Sequence, residues 1–257
     1  VREGDVALVP PRPGTETGDG GGDGGGDAAA RPGSGTDQGS ETVATGRVQA
    51  ERFGRLDVVV NNAGYGFPGA VEETTDAEAR QMSDVQIFGL WNVLRAVLPV
   101  LRTQRSGQIL NISSMLGLVA VPGCDLYRAG KFAPEGLSEA LTGEVAPFGV
   151  KVTVVEAGYF RTGFLTGDSP APPVSTTEGY ESVREMTRGH LELRGSRLGD
   201  PVRGAAVIIS LAASKDAPLR RLPGSDARAY AEGGLEALRA DLEAGREPAH
   251  GTDFPRP

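Results

Sequence analysis

Three apolar, largely β-branched runs recur along the chain, and each stops in small polar residues. Leu56-Asp57-Val58-Val59-Val60 runs into Asn61-Asn62-Ala63-Gly64, Gln108 to Ile112 into Ser113-Ser114, and Val150 to Val155 into Glu156-Ala157-Gly158. Runs this short and this apolar suit strands covered on both faces. The stretches between them carry helix patterns. Thr74 or Thr75 caps a helix with Asp76 and Glu78 in its first turn. From about Met82 to Arg102 the residues Val85, Phe88, Leu90, Val93, Leu94 and Val97 form an apolar stripe, with Pro99 placed to kink the helix. Another helix carries Tyr127 and Lys131 and runs to about Pro147. Strands alternating with helices of this length predict parallel βαβ units and a doubly wound α/β sheet. In such a sheet the carboxyl ends of the strands line the ligand crevice. The three polar strand ends and Tyr127 are therefore expected on one cleft.

The chain of 257 residues is long enough for one large domain with a buried core. Its net charge of −8 argues against nucleic acid or an anionic membrane surface as partner. Cys124 is the single cysteine, so neither a disulfide framework nor a cysteine metal site is expected. His190 and His250 are too few and too far apart for a metal cluster, so no metal site is expected and neither histidine is given a role. The longest apolar-rich helix candidate, Phe88 to Leu101, reads as too short and too interrupted to span a bilayer. No secretory signal opens the sequence, and a reducing cytoplasm is the expected setting.

The N-terminal part is unlike the rest. Residues 1–13 hold one strand candidate, Val6 to Val9, ended by Pro10 and Pro11. Residues 14–40 are dominated by glycine, aspartate and serine, which bury too little surface to offset their ordering entropy. A disordered loop is expected there, and the folded domain is expected over 41–257. The glycines from Gly18 to Gly26 formally match a dinucleotide-binding turn, but such a turn follows a strand directly and opens a helix. Here Pro10 to Glu16 intervene, and Asp19, Asp23 and Asp27 would repel a pyrophosphate. A calcium-binding glycine/aspartate repeat would need an apolar position that this one lacks. Residues 41–53 form a loose helical stripe stopped by Gly54. A right-handed crossover through that helix would set Val6–Val9 parallel beside Leu56–Val60.

Tyr127 and Lys131 are four apart, so on a helix both side chains leave the same face. A phenol titrates near pH ~10, and a cation one turn away lowers that value, which makes the pair a candidate general acid/base. By itself the pair is common on solvated helices. Its company narrows the reading: Asn61-Asn62-Ala63-Gly64, then Ser114, then Tyr127 and Lys131, then Ala157-Gly158 followed by Thr162.

In that order and at those spacings the chain resembles the short-chain dehydrogenase/reductase family, over roughly residues 46–257. The segments Arg221-Leu222-Pro223-Gly224-Ser225-Asp226-Ala227 and Thr252-Asp253-Phe254-Pro255 are similar to retinol- or steroid-dehydrogenase-like bacterial members. The resemblance implies a Rossmann-type domain with NADP(H) or NAD(H) as cofactor and a small-molecule carbonyl or alcohol as substrate. It implies Tyr127 as proton donor, Lys131 holding the nicotinamide ribose, and Ser114 orienting the carbonyl. Asn61, Ala63 and Gly64 correspond to the turn beside the cofactor ribose, and Gly158 and Thr162 to the nicotinamide side. Family members pair through their two long helices, here about Met82–Arg102 and Leu126–Pro147, so a homodimer or homotetramer is expected.

The departures are specific. Only one helix and one strand fit between the glycines and Asn61, so the N-terminal βαβ unit reads as incomplete. Gly4 to Pro13 also resembles the family's second strand, with Arg12 near the position that reads an adenosine 2′-phosphate, which weakly favours NADP(H). Gln86 stands where the family has an asparagine holding a relay water. Pro134 follows Lys131 in the helix, an expected cost of ~3 kcal/mol. Ala157 replaces a proline. Between Gly163 and Arg197, Phe164, Leu165, Pro170, Pro172, Pro173, Tyr180 and Met186 suggest an apolar substrate under a mobile flap. A different reading is a catalytically impaired remnant acting as a subunit or binding protein.

Overall fold

The computed structural model describes residues 6–7, 52–165, 172–193, 195–246 and 251–254. The expected loop at 14–40, most of the helix at 41–53 and Arg12 lie outside these residues. Among the described residues five strands form one parallel sheet whose order follows the chain. They are β1 (Val6–Ala7), β2 (Val58–Asn61), β3 (Gly107–Ser114), β4 (Val150–Ala157) and β5 (Arg220–Arg221). Val6 pairs with Val58, as the crossover argument requires. Asn61 pairs with Asn111 and Ser114 with Ala157, so the polar ends of the central strands share one edge. Burial on both faces explains the apolar runs. On one side Val59, Ile109 and Val152 pack with Leu94, Val97, Leu101 and Leu141. On the other, Val58, Leu110 and Val155 pack with Leu211.

The helices are α1 (Asp76–Ser83), α2 (Gly89–Gln104), α3 (Asp125–Val145), α4 (Glu181–Glu192), α5 (Pro201–Ala213) and α6 (Ser225–Ala244). Thr75 caps α1 in a reciprocal box: Glu78 N donates to Thr75 Oγ1 at 3.3 Å and Thr75 N to Glu78 Oε2 at 2.8 Å. A π-helical turn, Asp84–Phe88, joins α1 to α2 without a break. This corrects the shorter helix read from Phe88: the 29 residues Asp76–Gln104 are long and apolar enough to cross a membrane. Here the stripe Leu90, Leu94, Val97 and Leu101 belongs to the sheet-facing core instead.

Neither proline ends its helix. Pro99 sits inside α2, and Pro134 is buried inside the 21-residue α3, which continues to Val145. Leu141 and Val145, beyond Pro134, lock α3 onto the sheet core. Packing outweighs the local cost of one missing backbone bond.

Candidate active site

β3 delivers Ser114, α3 delivers Tyr127 and Lys131, and the residue after β4, Gly158, reaches the same cavity of about 520 Å³. Asn62, Gly64 and Thr162 line it too, so the polar strand ends do converge. Tyr127 is nearly buried against Met115, Leu116, Val119 and Ala227. Its ring centroid lies 5.8 Å from that of Phe164. Leu116 N donates to Ser114 Oγ at 3.2 Å. The serine therefore keeps its own proton for Tyr127 or for an oxygen in the cavity.

Lys131 is 6% exposed, and its Nζ donates to Ile112 O at 3.0 Å. The ammonium lies 5.7 Å from the Tyr127 ring centroid. The expected lowering of the phenol is reversed. Burial pushes Tyr127 up to about 12, against a smaller downward pull from its hydrogen bond with Ser114. Burial also pulls Lys131 down to about 8, opposed by the Glu135 carboxylate. With its amine turned to a backbone carbonyl, the lysine does not outweigh the desolvation of the phenol.

Gln86 lies in the π turn, buried, with Nε2 donating to Met82 Sδ at 2.6 Å and to Tyr65 O at 3.3 Å. Its Oε1 has no partner among the described residues. A Cβ built on Gly64 would stand 3.7 Å from that oxygen and 3.4 Å from Lys131 Nζ. An orphan acceptor and an amine with donors to spare thus meet behind Gly64, at the place where a ribose hydroxyl or a water would satisfy both. The residues fit the nicotinamide half of a dinucleotide. π turns recur at such sites.

Asn61 is turned away from the cavity. Its Nδ2 donates to Asn111 Oδ1 at 2.8 Å, and Asn111 Nδ2 donates to Ser138 Oγ at 2.8 Å. Asn62, exposed, faces the cavity in its place, and Ala63 is exposed outside its lining. Gly158 lies close against the Asp226 side chain: a Cβ there would stand 2.2 Å from Asp226 Oδ1, so the carboxylate would have to shift. Asp226 accepts from Tyr159 N at 2.7 Å and so ties the β4 end to the start of α6.

The described part of the expected flap is a short turn, Gly163–Leu165, then residues 172–180 and α4. Phe164 and Met186 line the cavity, as expected. Tyr180 instead donates to Glu72 Oε2 at 2.8 Å. Two residues given no role by the sequence also line the cavity: Tyr159 and His190, whose Oη and Nε2 are hydrogen-bonded. Met186 and His190 lie one turn apart on α4, a spacing that marks one helix face but not what it covers. Cys124 lines the cavity beside them, its thiol pushed up by burial.

This geometry agrees with what the chain is similar to. The family model described as short chain dehydrogenase matches residues 25–172, more than half of the chain. An oxidoreductase of Botryotinia fuckeliana, BOA17, is 38% identical over 198 residues, covering 77% of this chain and 72% of that protein. The crystal structure of a short-chain dehydrogenase from Streptomyces avermitilis superposes with a TM-score of 0.77 at 38% identity, covering 84% of this chain and 78% of that one. NAD+-bound xylitol dehydrogenase is more distant, with a TM-score of 0.57, 25% identity, and coverage of 72% and 74%. The chain belongs to the short-chain dehydrogenase family. Its class of reaction is nicotinamide-dependent interconversion of carbonyls and alcohols.

Proposed function

We propose that the chain reduces or oxidises a small, apolar carbonyl/alcohol substrate, with Tyr127 as acid/base. The observation that carries this reading is the buried Ser114–Tyr127–Lys131 set opening into a cavity walled by Phe67, Met115, Phe164 and Met186. A bound nicotinamide supplies or accepts the hydride. Lys131 and Asn62 would hold its ribose, and Gly158 and Thr162 would border its ring. Ser114 donates to the substrate oxygen. In reduction the Tyr127 O–H bond breaks and its proton passes to that oxygen. The Lys131 ammonium, itself buried, offsets the negative charge that develops there. Gln86 Oε1 is the acceptor available to a relay water beside Lys131.

Titrating NADPH and NADH against nicotinamide fluorescence tests this reading. Saturable binding is expected, with NADPH tighter if Arg12 meets the 2′-phosphate. Each charge-assisted contact contributes ~1.5–3 kcal/mol, so lacking two pyrophosphate contacts would weaken binding by roughly two to four powers of ten. Low-micromolar binding would mean that residues 14–40 supply a pyrophosphate turn. No binding to either nucleotide would favour the rival reading, a remnant acting only as a subunit, which the interrupted glycine pattern motivates.

Phe88 and Trp91 on the π turn and α2, and Phe132 on α3, are 58%, 50% and 47% exposed. Apolar exposure on these two helices supports assembly through them. Light scattering at tens of micromolar is expected to give a dimer or tetramer, and a monomer would remove this part of the proposal.

A further inference from the structure

Behind Lys131, on the side away from the substrate cavity, lies a buried acidic pair. Glu156, the β4 residue before Ala157, is 0% exposed, and Glu135, one turn beyond Lys131 on α3, is 5% exposed. Arg220 Nε of β5 lies 3.5 Å from Glu156 Oε1 and 3.6 Å from Glu135 Oε2. The two carboxyls thus face each other across a single atom. That guanidinium is also shared with exposed Glu139, whose Oε2 accepts from Nη2 at 2.7 Å. Among the described residues no hydrogen bond of ordinary geometry reaches the four oxygens of Glu135 and Glu156, although Ser113, Arg220 and the Glu156 and Arg221 backbone N–H groups lie near enough to favour the charged forms. Two ionised carboxylates cannot stay so arranged around one divided cation. A proton on one of them removes the like-charge contact and lets that acid donate to the other.

We propose that Glu156 is a neutral acid at physiological pH, and that the Glu135 carboxylate it supports is the counter-ion that keeps Lys131 charged. Glu135 is then a positioning residue that acts through Lys131. The groups facing the pair are few. Ser113 of β3 and Lys131 of α3 bear on Glu135, Arg220 of β5 bears on both acids, and the backbone N–H groups of Glu156 and Arg221 oppose the upward push on Glu156 without outweighing its burial. A Cβ on Gly117 would stand 3.1 Å from Glu135 Oε1 and 2.6 Å from Ser113 Oγ, so glycine there leaves the carboxylate its room. Assignment of the proton follows the environment. Burial, then the Glu135 charge, pushes Glu156 up to about 8. Burial pushes Glu135 up as well, but Ser113, Arg220 and Glu156 all favour its charged form. The functional weight of the inference rests on the catalytic reading of Lys131, whereas its physics does not.

Lys131, Lys151 and Lys215 are the chain's only lysines, which makes the test direct. In protein labelled with 13C-lysine, the Lys131 signal is assigned by Lys131→Arg and titrated by NMR, with no substrate or nucleotide present. Glu135→Gln is expected to move the Lys131 midpoint down by about one pH unit or more. An unmoved midpoint would overturn the counter-ion role. Glu156→Gln keeps the neutral, donating form if the proposal holds. Wild-type native protein then binds the Glu156 proton more tightly than the unfolded chain, so its stability falls as pH rises from about 4.5 to about 8. The melting-temperature advantage of Glu156→Gln over wild type should therefore grow across that window. A difference independent of pH would overturn the neutral acid. Both readouts survive if no nucleotide binds, so failure here is distinct from failure of the proposed reaction.

Discussion

Tyr127→Phe is expected to lower carbonyl reduction by about 10²–10⁴-fold, the loss typical of a positioned general acid. The change removes one oxygen from a ring held by Met115, Leu116 and Val119, so the fold should not respond. It removes the O–H beside Ser114, from which the substrate oxygen would take its proton. The high phenol value, about 12, suits donation to a developing alkoxide and disfavours the phenolate needed for alcohol oxidation. Reduction should therefore be favoured at neutral pH, and oxidation should gain as pH rises. The measurement is consumption of reduced nicotinamide with any carbonyl compound that wild type turns over. Tyr159, His190 and Cys124 line the same cavity and could also donate a proton. A loss of less than tenfold would move the acid role to one of them.

The frame of this fold was legible because burial on both faces of a parallel sheet writes itself as β-branched runs. Val58 to Val60, Ile109 to Ile112 and Val150 to Val155 carry that mark, and the polar residues after them fall on the cavity edge. Thr75 with Glu78 was legible as well, since a capping box is a local bond pattern. The π turn was not: one extra residue in a turn leaves the apolar stripe intact, so Gln86 kept its helical pattern while its amide took new partners. The helix through Pro134 was legible, but the tertiary packing that holds it past the proline was not, because only the local cost can be read from sequence. Tyr159 and His190 are 31 residues apart, on a strand end and a flap helix, and no spacing rule joins them. Asn61 and Asn62 are chemically identical neighbours. Which one faces the cavity depends on the pleat, and the structure gives Asn61 to the Asn111–Ser138 network. The direction of the Tyr127 shift failed because a helical pair was weighed without its burial.

Lys131→Met is expected to destroy activity and at the same time stabilise the protein near neutral pH. The lysine titrates near 10.5 when free and near 8 in the fold, with burial as the first cause. A gap of that size corresponds to about 3 kcal/mol of charge-burial cost, at ~1.36 kcal/mol per unit. Methionine has nearly the same shape and carries no such cost. It forfeits the hydrogen bond to Ile112 O, worth about 1 kcal/mol, so the net gain is about 2 kcal/mol. For a domain of this size that is about 4–8 °C in melting temperature. Glu135 retains Arg220 as a partner in the variant. The sign with pH follows from proton counting. Between about 8 and 10.5 the unfolded chain holds the lysine proton and the native wild type does not, so wild-type stability rises with pH in that window. The advantage of Lys131→Met is full below pH ~8 and fades as pH climbs toward 10.5. A buried cation kept at such a cost is what the catalytic role proposed for Lys131 would require. Thermal melts of both proteins from pH 6 to pH 10 decide it: a variant less stable than wild type at pH 7, or an advantage that grows with pH, would show that the ammonium stabilises the fold and that its position needs no catalytic explanation.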